Sequence, residues 1–257
     1  MNYACTIHYT GQLDADKVKT LLEKNIPIAK TGKKAKVVFP NIKKPKENII
    51  YFVQDKKAVQ SQVYFYVPGN KYSNEQYIAK NGFNTYFGDG FSGLVLQEIR
   101  EYRSLAYSAW GRYFNFDTSP NKSAFLWAYI GCQADKTIEA IEVMNDLLKN
   151  LPEKKERLTN IRSNLKLKAQ SAYPGFRKVS QSIEAYKEQG FDDDPNRKAV
   201  VAYDKMSFED IMDFYQKNIK GKAITIAIYG NKKKINLEKL KAFGKLVELD
   251  KKEIRKE

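Results

Sequence analysis

Arg100 and Tyr107 stand seven residues apart in the run Ser92-Gly93-Leu94-Val95-Leu96-Gln97-Glu98-Ile99-Arg100-Glu101-Tyr102-Arg103-Ser104-Leu105-Ala106-Tyr107-Ser108. Leu94, Leu96 and Ile99 predict a short helix with Arg100 near its C-terminal end and Tyr107 at the passage into a strand. Seven residues is nearly two helical turns, so both side chains can point to one side. A guanidinium and a phenol are both hydrogen-bond donors. Taken alone, the residues are better read as a surface Arg–Glu pair and a tyrosine opening a strand.

The other chemistry-bearing residues are sparse. His8 is the only histidine, whereas a peptidase zinc site needs two histidines on one helical turn, a further ligand and a glutamate. No His-x-x-Glu-His run occurs, and no Ser/His/Asp or Cys/His unit can be assembled around a histidine expected in a short strand. Cys5 and Cys132 fit neither a disulfide framework nor a structural zinc site and are expected as buried thiols. Asp192-Asp193-Asp194 precedes Pro195-Asn196, which predicts a turn and helix start rather than a cation site. Gly88-Asp89-Gly90-Phe91-Ser92-Gly93 has the spacing of a dinucleotide fingerprint, but a helical segment precedes it where that chemistry requires a strand. These glycines instead predict a tight helix–helix turn with Ser92 as N-cap.

Several elements must position Arg100 and Tyr107. Gln62–Val67 is apolar on both faces, as in a central strand. Asn74–Phe87 reads as a helix. Tyr107–Phe116 and Ser123–Cys132 read as a hairpin around Thr118-Ser119-Pro120-Asn121. Helical periodicity follows over Asp135–Lys149 and Lys154–Ala172, and Ser207-Phe208-Glu209-Asp210 is a capping-box signature with Ile211 and Tyr215 inward. Ala223–Gly230 reads as a strand followed by a helix through Leu237 and Leu240. Cys5–Gly11 followed by Val18, Leu21 and Leu22 repeats that strand–turn–helix pattern, which suggests tandem related domains. Hairpins and runs of helices predict an α+β fold, a mixed or antiparallel sheet with helices on one face, not a doubly wound sheet.

The 257 residues carry a formal charge of +15 and 42% hydrophobic residues. That is enough apolar material for a packed core. The lysines are interleaved with Glu and Asp, and no Arg-rich block or single-strand-binding motif occurs, so a solvated basic surface is expected. No stretch reaches the ~20 apolar residues of a membrane span.

The chain resembles the insulinase (pitrilysin, mitochondrial processing peptidase) family of zinc metallopeptidases, specifically its inactive C-terminal domain. The family's Arg-Glu-x-x-Gly-Leu-Ala-Tyr appears as Arg100-Glu101-Tyr102-Arg103-Ser104-Leu105-Ala106-Tyr107, with Ser104 in place of the usual glycine. Gln60–Phe65 is similar to the family's opening strand, and Tyr229-Gly230 to its closing strand–turn–helix. The resemblance covers about 60–245, and Cys5–Asn25 resembles the tail of a preceding domain.

The resemblance implies a metallohydrolase-like fold divided into 1–25 (close of a preceding domain), 26–60 (linker) and 61–257 (inactive domain). It implies no cofactor in this chain, zinc in a partner half joined in cis or in trans, and a peptide substrate. Arg100 and Tyr107 are then auxiliary catalytic residues that hold substrate backbone and stabilise the developing oxyanion. A bacterial, extracytoplasmic parent protein is expected. The alternatives are a proteolytically inactive scaffold of the same fold and a basic nucleic-acid-binding module.

Overall fold

The computed structural model describes residues 5–26, 44–115 and 124–251. In chain order the elements are α1 (Ala15–Asn25), β1 (Ile49–Gln54), β2 (Gln60–Pro68), α2 (Tyr77–Phe87), α3 (Leu94–Leu96), β3 (Ala106–Asn115), β4 (Ala124–Gln133), α4 (Thr137–Lys149), α5 (Leu158–Ser171), α6 (Val179–Glu188), α7 (Pro195–Lys205), α8 (Phe208–Asn218), β5 (Thr225–Gly230), α9 (Leu237–Leu240) and β6 (Lys245–Leu249). They fall into two units, one of Met1–Ile42 with Ala172–Pro195 and a larger one of Lys43–Ser171 with Asn196–Glu257.

In the larger unit the six strands form one mixed sheet in the order β3-β4-β2-β5-β1-β6. The β3–β4, β4–β2 and β2–β5 pairs are antiparallel, while β1 runs parallel to both β5 and β6. Side chains alternate across a pleated sheet, so register assigns each row to a face. Ile130, Val63, Ile228 and Phe52 are successive cross-strand partners, all buried, as are Ala128, Phe65, Ile226 and Ile50 in the next row. The helices cover this face. Phe83 of α2 lies against Phe87 and Phe214, and Phe214 meets Tyr113 of β3 edge-on. Gly88 allows α2 to end against β3, because a Cβ there would stand 1.9 Å from the carbonyl oxygen of Gly111.

The helices follow their local signals. Ser207 caps α8 by accepting from Asp210 N at 3.1 Å while Asp210 Oδ2 accepts from Ser207 N at 2.7 Å. Ile211 and Tyr215 are buried beneath it, as are Ile141, Met144 and Leu148 of α4 and Ile161, Leu165 and Ala169 of α5. Pro195 opens α7, a first-turn position that suits its fixed φ.

Several expectations need correction. Ile49–Gln54, assigned above to a linker, is an interior strand, so the sheet begins before residue 61. Cys5–Thr10, with His8 inside it, forms no strand, and Cys5 is exposed while Cys132 is buried. The N-cap of α3 is Gly93, not Ser92, which belongs to a preceding 3-10 turn. Strand β2 is buried on one face only: Tyr64 on the other is 39% exposed. Helix α6 and strand β6 were not anticipated. The apolar run 36–39 and the hairpin turn 118–121 lie outside the described residues.

In the smaller unit α1 is capped by Asp14, whose Oδ1 accepts from Asp16 N at 2.9 Å. His8 Nε2 meets Glu184 Oε2 of α6 at 2.8 Å, and Thr6 donates to the same carboxylate.

Candidate functional site

Three departures from regular backbone occur within one short run of the larger unit. After the single turn of α3 the helix widens to a π-turn over Gln97–Glu101, with Tyr102 N donating to Gln97 O at 2.9 Å. Arg100 sits on that turn. The helix then closes through Ser104, whose φ of 50° makes it the one non-glycine residue with positive φ among those described. Ser104 N donates to Arg100 O and Leu105 N to Ile99 O, both at 2.9 Å, so carbonyls at the helix end are satisfied. The residue type explains the departure noted above: the family's glycine falls at the position where the chain turns left-handed.

Strand β3 follows at once, and it opens with a β-bulge. Ala106 pairs with Cys132 and Ser108 with Gly131, which leaves Tyr107 as the extra residue. A bulge re-aims the side chain it carries, and Tyr107 projects outward, 82% exposed. The π-turn and the bulge bring the two expected site residues together. The Arg100 guanidinium carbon lies 5.7 Å from the Tyr107 ring centroid, within cation–π range. They share a cleft of about 560 Å³ with Gln60, Glu101, Ser104, Gln133 and Lys136. Arg100 Nε also stands 3.5 Å from Glu101 Oε1, a contact between side chains that are both more than two-fifths exposed, where such pairs are weak.

The same π-turn carries Glu98, an ion-pair centre that sequence reasoning missed. Its carboxylate is 2.5 Å from Arg103 Nη1 and 3.0 Å from Lys154 Nζ. Burial pushes this carboxyl up, but the hydrogen bonds and charges of Arg103 and Lys154 outweigh it and hold the group below the usual carboxylate range. Arg157 donates to Ser92 O at 3.1 Å and to Gln97 Oε1. Lys154 and Arg157 are remote from this turn in sequence, so no local pattern revealed the arrangement. The pairing of Arg100 with Tyr107, by contrast, was visible in their spacing.

The donor set cannot hold zinc. Among the described residues no group of three or more His, Cys, Asp or Glu is placed around a common point, and His8 is occupied by Glu184. Buried Cys132 has its thiol pushed up to about 11 by burial, which disfavours the thiolate a metal requires. No helix among the described residues is long and apolar enough to cross a membrane.

The family model of the peptidase M16 inactive domain matches residues 4–165. The chain belongs to the peptidase M16 inactive-domain family. An uncharacterized zinc protease, SCO5738, of Streptomyces coelicolor is 28% identical over 98 residues, 38% of this chain and 20% of that protein. The fold is similar to that of a peptidase M16 inactive domain from Pseudomonas fluorescens, with a TM-score of 0.65 at 16% identity over 85% of this chain and 51% of the other. It is also similar to the periplasmic protease PqqL of Escherichia coli, with a TM-score of 0.63 at 17% identity over 86% of this chain and 25% of that one. The chain thus spans about half the length of these proteins or less. The M16 assignment agrees with the α+β fold and with a metallopeptidase ancestry in which this domain is the inactive one.

Proposed function

We propose that the chain is the non-catalytic portion of a zinc metallopeptidase, completing the active site of a zinc-bearing half that lies in the same polypeptide or in a partner. The observation that carries this reading is the convergence of Arg100 and Tyr107 on one open cleft. A guanidinium and a phenol both offer hydrogen-bond donors to a carbonyl oxygen. When the partner half closes over the cleft and expels water, both donors act on peptide carbonyls. They hold substrate backbone and favour negative charge forming on the scissile oxygen.

The metal is assigned to the partner half, a reading supported by the lack of a group of three or more His, Cys, Asp or Glu around a common point among the described residues. Residues 1–25 are proposed as the end of a preceding domain, supported by their membership of the smaller unit. The same proposal sets the parent protein outside the bacterial cytoplasm, the compartment named for PqqL. Recovery of the parent from the cytoplasmic fraction would remove that part.

The test is reconstitution. The chain alone should not cleave peptides, and adding the zinc-bearing half should restore hydrolysis. Arg100→Ala and Tyr107→Phe should each lower kcat by roughly 10- to 1000-fold, with little change in KM. Normal turnover in both variants would leave the chain as a scaffold of the same fold.

A further inference from the structure

Five lysines gather in the larger unit around the end of β2 away from the Arg100–Tyr107 cleft. Gln60 at the start of β2 lines that cleft, while Val67 near its end lines a separate recess of about 420 Å³, roughly 20 Å away along the strand. Lys46, Lys149, Lys220 and Lys222 line the recess, and Glu47 is the one carboxylate in its lining. Lys44 adds a fifth cation. Its Nζ donates to Gly69 O at 3.2 Å, and Lys222 Nζ donates to Oδ1 of the next residue, Asn70, at 3.0 Å. Among the described residues none of the five is ion-paired with a carboxylate.

Ordinary helix chemistry accounts for part of this cluster. Lys149 closes α4 and Lys220 follows α8, where a cation complements the helix dipole. It does not account for Lys222. Lys44, Lys46, Lys149 and Lys220 are exposed, whereas Lys222 is half-buried and shares the recess with Val67, Leu148, Ile219 and Ile224, which form a buried apolar floor. Burial, helped by Lys44, penalises its charged form and lowers it to about 8. About a tenth of such an amine is unprotonated at pH 7, and a neutral amine is a nucleophile.

We infer that Lys222 is a carbamate-forming site, its Nζ taking up carbon dioxide to give an anion that the surrounding lysines hold. The nitrogen lone pair attacks the carbon of CO2, one C–O π pair moves onto oxygen, and the nitrogen releases a proton to solvent. The product is –NH–COO⁻, and no oxidant or reductant is consumed. A recessed cation thereby becomes an anion. Each lysine that repels the ammonium attracts the carbamate, and Asn70 Oδ1 keeps an N–H donor. The apolar floor that penalises an unpaired charge strengthens the new ion pairs. A free oxyanion would also neutralise the recess, but it would draw Lys222 back to its protonated form, so only the covalent product uses the free amine. The inference stands apart from the peptidase reading.

The experiment equilibrates the 257-residue chain with carbon-13-labelled CO2 and bicarbonate at fixed CO2 pressure and ionic strength, and reads the carbamate carbon by NMR. The expected result is a carbamate resonance at about pH 8 that fades towards pH 6, where Lys222 is protonated, and a Tm above that in CO2-free buffer. Lys222→Arg keeps the positive charge and should abolish both, with circular dichroism confirming that the variant folds. Lys44→Met should lower carbamate occupancy by up to about fivefold, the factor of an exposed ion pair. Absence of a carbamate resonance would overturn the inference. So would a resonance that survives Lys222→Arg unchanged, which belongs to the α-amino group, or stabilisation that sulfate reproduces at matched ionic strength with no carbamate signal.

Discussion

The guanidinium of Arg100 and the ring of Tyr107 face each other at 5.7 Å from opposite sides of a left-handed residue, Ser104. One side chain is delivered by a widened helical turn and the other by an extra residue in a strand. Neither is drawn into the core, so the pair spends backbone irregularity on exposed donors. Such concentrations of local irregularity are characteristic of working sites.

The two parts of Tyr107 can be separated kinetically. Tyr107→Phe keeps the ring beside Arg100 and removes only the hydroxyl, whereas Tyr107→Leu removes both. In the reconstituted peptidase, Phe should reduce kcat alone. Leu should add a loss of up to about fivefold, the size of an exposed cation–π contact of ~0.5–1 kcal/mol. Steady-state kinetics of the two variants, with and without Arg100→Ala, measures the coupling.

Ser104 opposes two small effects. A non-glycine residue in the left-handed region costs about 1 kcal/mol, but glycine loses a similar amount of freedom on folding. Ser104→Gly should therefore shift stability by no more than about 0.5 kcal/mol. Ser104→Val should cost about 1–2 kcal/mol, because a β-branched side chain adds steric conflict. Urea unfolding of both variants tests the ordering.

Asn84 completes an edge strand from outside the sheet. Its Oδ1 accepts from Tyr113 N at 2.7 Å and its Nδ2 donates to Tyr113 O at 3.1 Å, with Asn84 itself 2% exposed. Asn84→Ala leaves a buried backbone donor and acceptor without partners, at a cost of about 2–4 kcal/mol. Denaturant midpoints should show that loss at an unchanged m-value.

Glu98 and Lys222 both make stability rise with pH, in different intervals and for different reasons. The carboxyl of Glu98 is held below its ordinary 4.5 in the folded chain. Its stabilisation is present above that value and disappears as pH falls through the folded one. Glu98→Gln should lower Tm at neutral pH, and the difference should close as pH falls below 4.5 and through the lowered folded value.

At Lys222 the charged form is the one penalised. Burial, helped by Lys44, lowers it from 10.5 to about 8. Its unfolded form therefore binds more protons between those values, and stability rises with pH across that interval. Lys222→Met should raise Tm by a few degrees at pH 7. The advantage should shrink as pH climbs from 8 to 10.5. Calorimetry across that range would show a constant difference if burial were not responsible.

What could be read from sequence was local. The capping box at Ser207, the paired segments that became β3 and β4, and the inward faces of α4, α5 and α8 all follow from neighbours a few residues apart. The spacing of Arg100 and Tyr107 belongs with them, whereas the left-handed turn at Ser104 emerged only from the structure. Strand β1 was hidden because its flanks are rich in Pro and Lys and its partners are remote in sequence. Helix α6 was passed over although Val179, Ile183 and Tyr186 recur at helical spacing; none of its residues is buried. Glu98 was unreadable because Lys154 reaches it through the fold.

The position of β1 has a cost during synthesis. Ile49–Val53 leaves the ribosome well before its hydrogen-bonding neighbours β5 and β6, the nearer of which begins beyond the 176 residues that separate Asn48 from Ile224. Until those strands emerge, an uncharged Ile-Ile-Tyr-Phe-Val segment has no native mate while β2, β3 and β4 can already assemble. Nascent chains halted before Thr225 should therefore be the species that aggregates or recruits a holdase, and β5 and β6 seal the most vulnerable strand.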